Sequence, residues 1–270
     1  SLKPVCHIRI PSDVHGIVGP TPRTIARDIT GFGHDFSYYP DQFIAEATQH
    51  ASYTTSDSTI VSGPAARSDS YGIKFNGNAI TTNATSGSYS NGGFFHYGSL
   101  QAERYVPILG SVDEWTVSIW FKPSAAPVTT GSTRSYIIAC GTNEGASSKL
   151  KGATFIYDDS GSPTGPKLYW DDSHDRIGFG VTTTNRTLAL NTVFQVDQWH
   201  LVTIRFRQSD LTWDVLVNGR LDNSVTLPAQ QSRRTYRWIE RYFALNAAHT
   251  IVNGNGGAIG RSAHAIGDFY

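Results

Sequence analysis

Apolar and polar residues alternate in short runs along most of the chain, and glycine, asparagine or proline interrupts the runs at short intervals. In Trp115-Thr-Val-Ser-Ile-Trp-Phe-Lys-Pro123, the residues Trp115, Val117, Ile119 and Phe121 fall on one face of an extended segment. Tyr71-Gly-Ile-Lys-Phe-Asn-Gly-Asn78 sets Ile73 and Phe75 on a common face and ends in a turn at Gly77. Residues 135–140, 153–157, 167–170, 177–181, 199–207 and 212–217 read as further strands, the last closing in Asn218-Gly219. Both turn residues tolerate positive φ, so Asn-Gly between alternating runs predicts a hairpin. Many short strands with turn residues between them predict a β-sandwich or barrel with helix below about a tenth of the chain, against about a third on average.

The first sixty residues read differently. Val5-Cys6-His7-Ile8-Arg9-Ile10 alternates Cys6, Ile8 and Ile10 against Val5, His7 and Arg9, which predicts one short strand. Pro11, Gly16, Gly19, Pro20 and Pro22 then interrupt any regular element. Residues 41–50 predict a short helix capped by Asp41. Residues 11–35 fit either a surface loop or an extended arm that contacts a neighbour. The expected organisation is therefore an N-terminal arm over 1–60 and a sandwich over 61–270.

Composition narrows the class. Of 270 residues, 39% are hydrophobic and 12% aromatic, too many for a disordered chain. Lys plus Arg and Asp plus Glu both number 22, so the formal net charge is zero and nucleic acid is disfavoured as a partner. No run approaches the 18 or more apolar residues of a transmembrane helix, so no membrane insertion is expected. Ser1-Leu2-Lys3-Pro4 lacks the apolar core of a signal peptide. Two cysteines, Cys6 and Cys140, lack metal-ligand spacing and leave one long-range disulfide open.

Four pieces in order carry a family resemblance: Ile73-Lys-Phe-Asn-Gly-Asn78, Trp115 to Pro123, Trp199-His-Leu-Val-Thr-Ile204 with Val215-Leu-Val-Asn-Gly219, and Ala258-Ile-Gly-Arg-Ser262. Together they resemble the laminin-G-like, concanavalin A-like jelly-roll domains over about residues 70–270. The resemblance implies an all-β fold: a two-sheet antiparallel jelly-roll sandwich (concanavalin A-like), here with an irregular N-terminal arm. It implies little about activity, because one fold hosts many functions. Two departures stand out. An insertion at about 229–257 replaces a short family connection, and the sequence stops at Tyr270, where the family continues into a final long strand. The strand at 5–10, a continuation of the natural chain or a neighbouring subunit would fill that place.

Candidate chemistry follows from spacing. Retaining glycanases need two carboxylates about 5–5.5 Å apart, which alternate residues of one strand supply. The five glutamates, Glu46, Glu103, Glu114, Glu144 and Glu240, include none with an acid two positions away, which disfavours that enzyme. His200 sits where the family has a structural strand. Asp171, Asp172 and Asp175 lie in one turn, with Asp158-Asp159 in another. Calcium prefers oxygen ligands gathered by loops, and the resemblance raises calcium as a cofactor there, but Asp also favours turns for local reasons. In the insertion, Arg233, Arg234, Arg237 and Arg241 accompany Tyr236, Trp238 and Tyr242. Arg and aromatic residues favour partner contact, and aromatic faces stack on sugars. The alternative is that Trp238, Ile239 and Phe243 cover the core while the arginines stay solvated. Asn83-Ala-Thr85 and Asn185-Arg-Thr187 match the glycan-acceptor triplet, which arises by chance in so polar a chain.

These observations read as a non-enzymatic binding or assembly module, a virion component (phage tail or capsid accessory) or an extracellular surface protein. Its expected partners are glycan or a neighbouring structural protein, and a homo-oligomer is expected. A secreted glycan-binding module and a carbohydrate-active enzyme are the alternatives.

Overall fold

A computed structural model of the chain describes residues 6–10, 24–26, 28–32, 34, 36–39, 58–64, 70–75, 94–97, 114–131, 134–141, 153–171, 185–207, 209–210, 212–226, 242–246, 248–252, 255–259 and 263–270. Among them the backbone forms strands and no helix. The first six strands are β1 (Thr24–Ala26), β2 (Phe36–Tyr39), β3 (Ser58–Ser62), β4 (Tyr71–Phe75), β5 (Phe94–Tyr97) and β6 (Glu114–Lys122). Next come β7 (Arg134–Gly141), β8 (Ala153–Asp159), β9 (Lys167–Asp171), β10 (Asn185–Ala189), β11 (His200–Arg207) and β12 (Thr212–Val217). The last are β13 (Arg220–Thr226), β14 (Tyr242–Leu245), β15 (Ala248–Val252), β16 (Asn255–Ile259) and β17 (Ala265–Phe269). The expected helix at 41–50 and strand at 177–181 lie outside the described residues.

The chain is an all-β jelly-roll sandwich. One sheet has seven strands in the order β13-β12-β11-β6-β17-β4-β3, the other eight in the order β1-β2-β5-β14-β7-β8-β9-β10. The strand pairings are antiparallel, and β15 with β16 makes a separate hairpin. Alternation in the sequence sets the faces. On β6, Trp115, Val117, Ile119 and Phe121 are buried, and on β11 His200, Val202, Ile204 and Phe206 are buried opposite them. Across the interior, the Phe121 ring meets Phe155 of β8 edge-on at 5.7 Å and Tyr157 at 4.9 Å, which joins the two sheets. A second aromatic cluster, Trp115, Phe206 and Trp213, fills the far end. Asn218 at φ 53° and Gly219 at φ 77° make the β12–β13 turn that Asn-Gly predicts.

Three findings revise the sequence reading. Residues 6–10 make two isolated bridges rather than a strand: Ile8 exchanges backbone hydrogen bonds with Phe269 and also bridges Asp28. The expected alternation still holds, with Cys6, Ile8 and Ile10 buried and Arg9 exposed. The insertion contributes β14 to the interior of the eight-stranded sheet, between β5 and β7, with Leu245 buried, and then the β15–β16 hairpin. Asp158 and Asp159, expected in a turn, end β8 and are 2% and 1% exposed.

Candidate functional site

Strand pairing assembles an aromatic strip on the outer face of the seven-stranded sheet. Trp120 of β6 alternates with the core residues and so points outward, half-buried. Ser118 exchanges backbone hydrogen bonds with Tyr270 at 2.8 and 3.0 Å, which places Tyr270 on the same outer side. Its hydroxyl pairs with the Trp120 side chain. Burial raises the Tyr270 hydroxyl above its ordinary pKa, aided by the Asp268 charge and outweighing the Trp120 indole N–H it accepts and the Arg9 charge. His7 stacks on Tyr270 with ring centroids 4.3 Å apart, and its Nε2 is 3.3 Å from the Asp268 carboxylate. Arg9, the next outward residue along, is exposed.

Trp199 extends the strip across β17 and β4. Its indole N–H donates to the Ser62 carbonyl at 3.1 Å. A Cβ on Gly72 would meet this ring at 2.5 and 2.7 Å, so the indole packs directly against bare backbone. A Cβ on Gly267 would meet Trp120 Cβ at 2.9 Å and the Trp199 ring at 3.5 Å. Two side-chain-free positions thus form a floor on which Trp199 rests, with Trp120, Tyr270 and His7 continuing the row and Arg9 and Asp268 beside it. Such a surface offers apolar faces with a few fixed polar groups, the make-up of a small-ligand site. Sequence reading placed Trp120 and Trp199 on strands but not in a site, since their adjacency depends on β17 lying between β6 and β4. The outward position of Trp120 in an otherwise inward-facing aromatic run was the available signal.

Most of the predicted site residues are not among the described ones. Arg233, Arg234, Tyr236, Arg237, Trp238 and Arg241 lie outside the described residues, and Tyr242 is placed only as the first residue of β14. Asp171 ends β9, its backbone opposite Asn185, while Asp172 and Asp175 lie outside the described residues. His200 is 5% exposed, with Nε2 against Gln195 and Nδ1 3.4 Å from the Asn218 amide, the structural position expected for it.

Both carboxylates of the Asp158–Asp159 pair are buried and partnered within the protein. Asp158 Oδ1 accepts the Val128 amide at 2.8 Å, while Oδ2 accepts the Ser135 hydroxyl at 2.6 Å and faces His264 Nε2 at 3.1 Å. Burial raises the Asp158 pKa, but hydrogen bonds and charge from His264, Ser135 and Val128 outweigh it and hold the carboxyl below its ordinary range. Asp159 pairs with the buried Lys167 ammonium at 3.0 Å. Asp158, His264 and Ser124 also form a line, with Ser124 Oγ 3.2 Å from His264 Nδ1. This is not an activated serine. Its hydroxyl donates to the Ala263 carbonyl at 2.9 Å, and its own amide points at the same Nδ1. The imidazole is enclosed by Phe121 and Tyr157 at 5.5 and 4.8 Å. A nucleophile would need to hand its proton to that nitrogen, so the line is a clasp between strands.

No family model and no curated protein sequence matches the chain. Among solved structures it is similar to the carbohydrate-binding module of Ruminococcus gnavus IT-sialidase bound to α2,3-sialyllactose (11% identity, 59% of this chain and 75% of that one, TM-score 0.42). It is also similar to the binding domain of botulinum neurotoxin serotype G (10% identity, 99% and 47% coverage, TM-score 0.46). A third is a heptameric SAP-like pentraxin from Limulus polyphemus (15% identity, 58% and 63% coverage, TM-score 0.36). The likeness lies in the β-sandwich alone and carries no residue or activity across. Among the described residues, no helix is long and apolar enough to cross a membrane.

Proposed function

We propose that this chain is a non-catalytic, laminin-G-like glycan-binding module that works on an extracellular or virion surface. The outward strip of Trp199, Trp120 and Tyr270, floored by Gly72 and Gly267, carries the reading. Pyranose rings present C–H faces that pack on aromatic rings, and their hydroxyls need a few fixed hydrogen-bonding groups, which His7, Arg9 and Asp268 supply. Trp199 is pre-set by its bond to Ser62, so little side-chain freedom is lost on binding. The Arg- and aromatic-rich stretch over 230–243, with Arg233, Arg234, Tyr236, Arg237, Trp238, Arg241 and Tyr242, is a second contact, for the same glycan or for a neighbouring copy. Asp171, Asp172 and Asp175 bind calcium through their carboxylates.

A glycan array read with the wild-type chain and with Trp199→Ala and Trp120→Ala tests this. Retention of one glycan class, weakened at least about tenfold by each variant with the melting temperature recorded alongside, is expected. Absence of any retained glycan, or unchanged retention by both folded variants, overturns the reading. Release of product from a retained polysaccharide would instead mark an enzyme.

A further inference from the structure

Beneath the N-terminal segment, Cys6, Asp28 and His34 converge. Cys6 Sγ, a carboxylate oxygen of Asp28 and a ring nitrogen of His34 lie within 4.8 Å of one another, and the residues are 2%, 8% and 7% exposed. They come from two separate stretches, the segment bridged to Phe269 through Ile8 and the turn between β1 and β2. The carboxylate is firmly oriented. Asp28 Oδ1 accepts the His7 amide at 3.0 Å, the Thr30 amide at 3.0 Å and the Thr30 hydroxyl at 2.7 Å. Oδ2 accepts the His34 amide at 3.1 Å and stands 3.4 Å from His34 Nδ1. Burial raises the Asp28 pKa, but these hydrogen bonds outweigh it and bring it down to about 2, so the group is an anion.

We propose that Cys6, Asp28 and His34 form a binding site for a divalent transition metal of the zinc type. A thiolate, an imidazole and a carboxylate are the three donor classes zinc takes, whereas calcium and magnesium require shells of oxygen. With metal–ligand distances of about 2.0–2.3 Å, tetrahedral donors stand roughly 3.5 Å apart. A contraction of about 1 Å closes the observed cluster around an ion, with water at the fourth corner. The hydrogen bonds to Asp28 are the outer support that fixes a ligating carboxylate. Binding replaces the Cys6 S–H bond by a metal–sulfur bond and releases that proton to solvent, while Asp28 ligates as a carboxylate and His34 through an unprotonated ring nitrogen. No electron moves. The ion would clip the arm, through Cys6, to the β1–β2 turn and so reinforce the two bridges from Ile8 to Phe269 and Asp28. The site is independent of the glycan reading.

The full chain, stripped with chelator and reduced, is titrated with cobalt(II) and then zinc(II). One equivalent of cobalt should give a thiolate-to-cobalt charge-transfer band in the near ultraviolet, zinc should abolish it, and zinc should raise the melting temperature where calcium does not. Cys6→Ser should lose the band and Cys140→Ser should keep it. His34→Gln should weaken cobalt at least about tenfold. A wild-type chain with no band at tenfold excess cobalt, a band that survives in Cys6→Ser, or one lost in Cys140→Ser overturns the site. Should Cys6→Ser fail to fold, the wild-type, Cys140→Ser and His34→Gln titrations still decide. In the overturned case, Asp28 serves only to organise its turn.

Discussion

Replacing Asp158 by asparagine tests whether the buried polar clasp holds the two sheets in register. The carboxylate accepts from the Val128 amide, the Ser135 hydroxyl and His264 Nε2, and the residue is 2% exposed. An amide of the same shape can accept at one atom only. If its NH2 takes the Oδ1 place, it meets the Val128 N–H, donor against donor. If it takes the Oδ2 place, it meets the Ser135 hydroxyl and His264 Nε2. Ser135 Oγ already accepts the Asp158 amide at 3.0 Å, and the Ser124 amide at 3.2 Å from Nδ1 favours the ring proton on Nε2, so neither neighbour reverses its role without a new conflict. Each buried group left unsatisfied costs about 1–3 kcal/mol. Asp158→Asn should therefore lose about 1–3 kcal/mol, read as a fall in the urea midpoint at unchanged slope. Exposed Asp210, paired with Arg207 at 3.3 Å, is the control, and Asp210→Asn should cost no more than about 1 kcal/mol. The pH dependence has a definite sign. Because folding lowers the Asp158 pKa, its stabilisation is present above the unfolded carboxyl value of about 3.9 and is lost as pH falls below it. The variant should show a shallower acid limb than the wild type. A loss under about 1 kcal/mol with an unchanged acid limb would refute the clasp.

What the sequence made legible was whatever depends on neighbours one to four positions away. Alternation in β6 and β11 located the core face of the seven-stranded sheet, and Asn218-Gly219 located its hairpin. The same period sorted Cys6, Ile8 and Ile10 from His7 and Arg9, although that segment makes two isolated bridges instead of a strand. Edge strands were harder. β10, Asn-Arg-Thr-Leu-Ala, buries Leu188 at 8% exposure while Thr187 beside it is exposed, so its composition does not separate it from a loop. β13 is mostly exposed for the same reason. Asp158 looked like a turn residue because its compensating partner, His264, lies 106 residues away. Nothing local announces that a buried carboxylate will find such a donor. The Trp199 strip was hidden likewise: Trp199 reads as a strand entry until the sheet order brings Gly72 and Gly267 beneath its ring.

Three further outcomes are expected. Calcium at a hundredfold excess over its dissociation constant should stabilise the chain by about 2.7 kcal/mol if Asp171, Asp172 and Asp175 bind it, and a melting temperature indifferent to calcium and chelator removes that site. Trp238→Ala should weaken glycan retention or self-association while changing stability by no more than about 0.5 kcal/mol, whereas a loss of about 3–5 kcal/mol makes Trp238 a core residue. Deleting residues 1–35 should cost the chain its solubility. The deletion removes Cys6, Ile8 and Ile10, all at most 2% exposed, and Asp28 with them. It also strips the backbone partner from Phe269, whose amide and carbonyl bond Ile8 at 3.0 and 2.8 Å, and uncovers the Phe36–Phe269 contact at 5.6 Å. Each fully buried aliphatic side chain contributes about 1.5–3 kcal/mol, so losing Ile8 and Ile10 alone takes a large share of a stability that is typically about 5–15 kcal/mol. The uncovered apolar surface and the unpaired edge at Phe269 would then invite pairing between molecules. Light scattering and the melting temperature of the truncated chain measure this, and a soluble monomer as stable as the full chain would show that the arm is a dispensable tail.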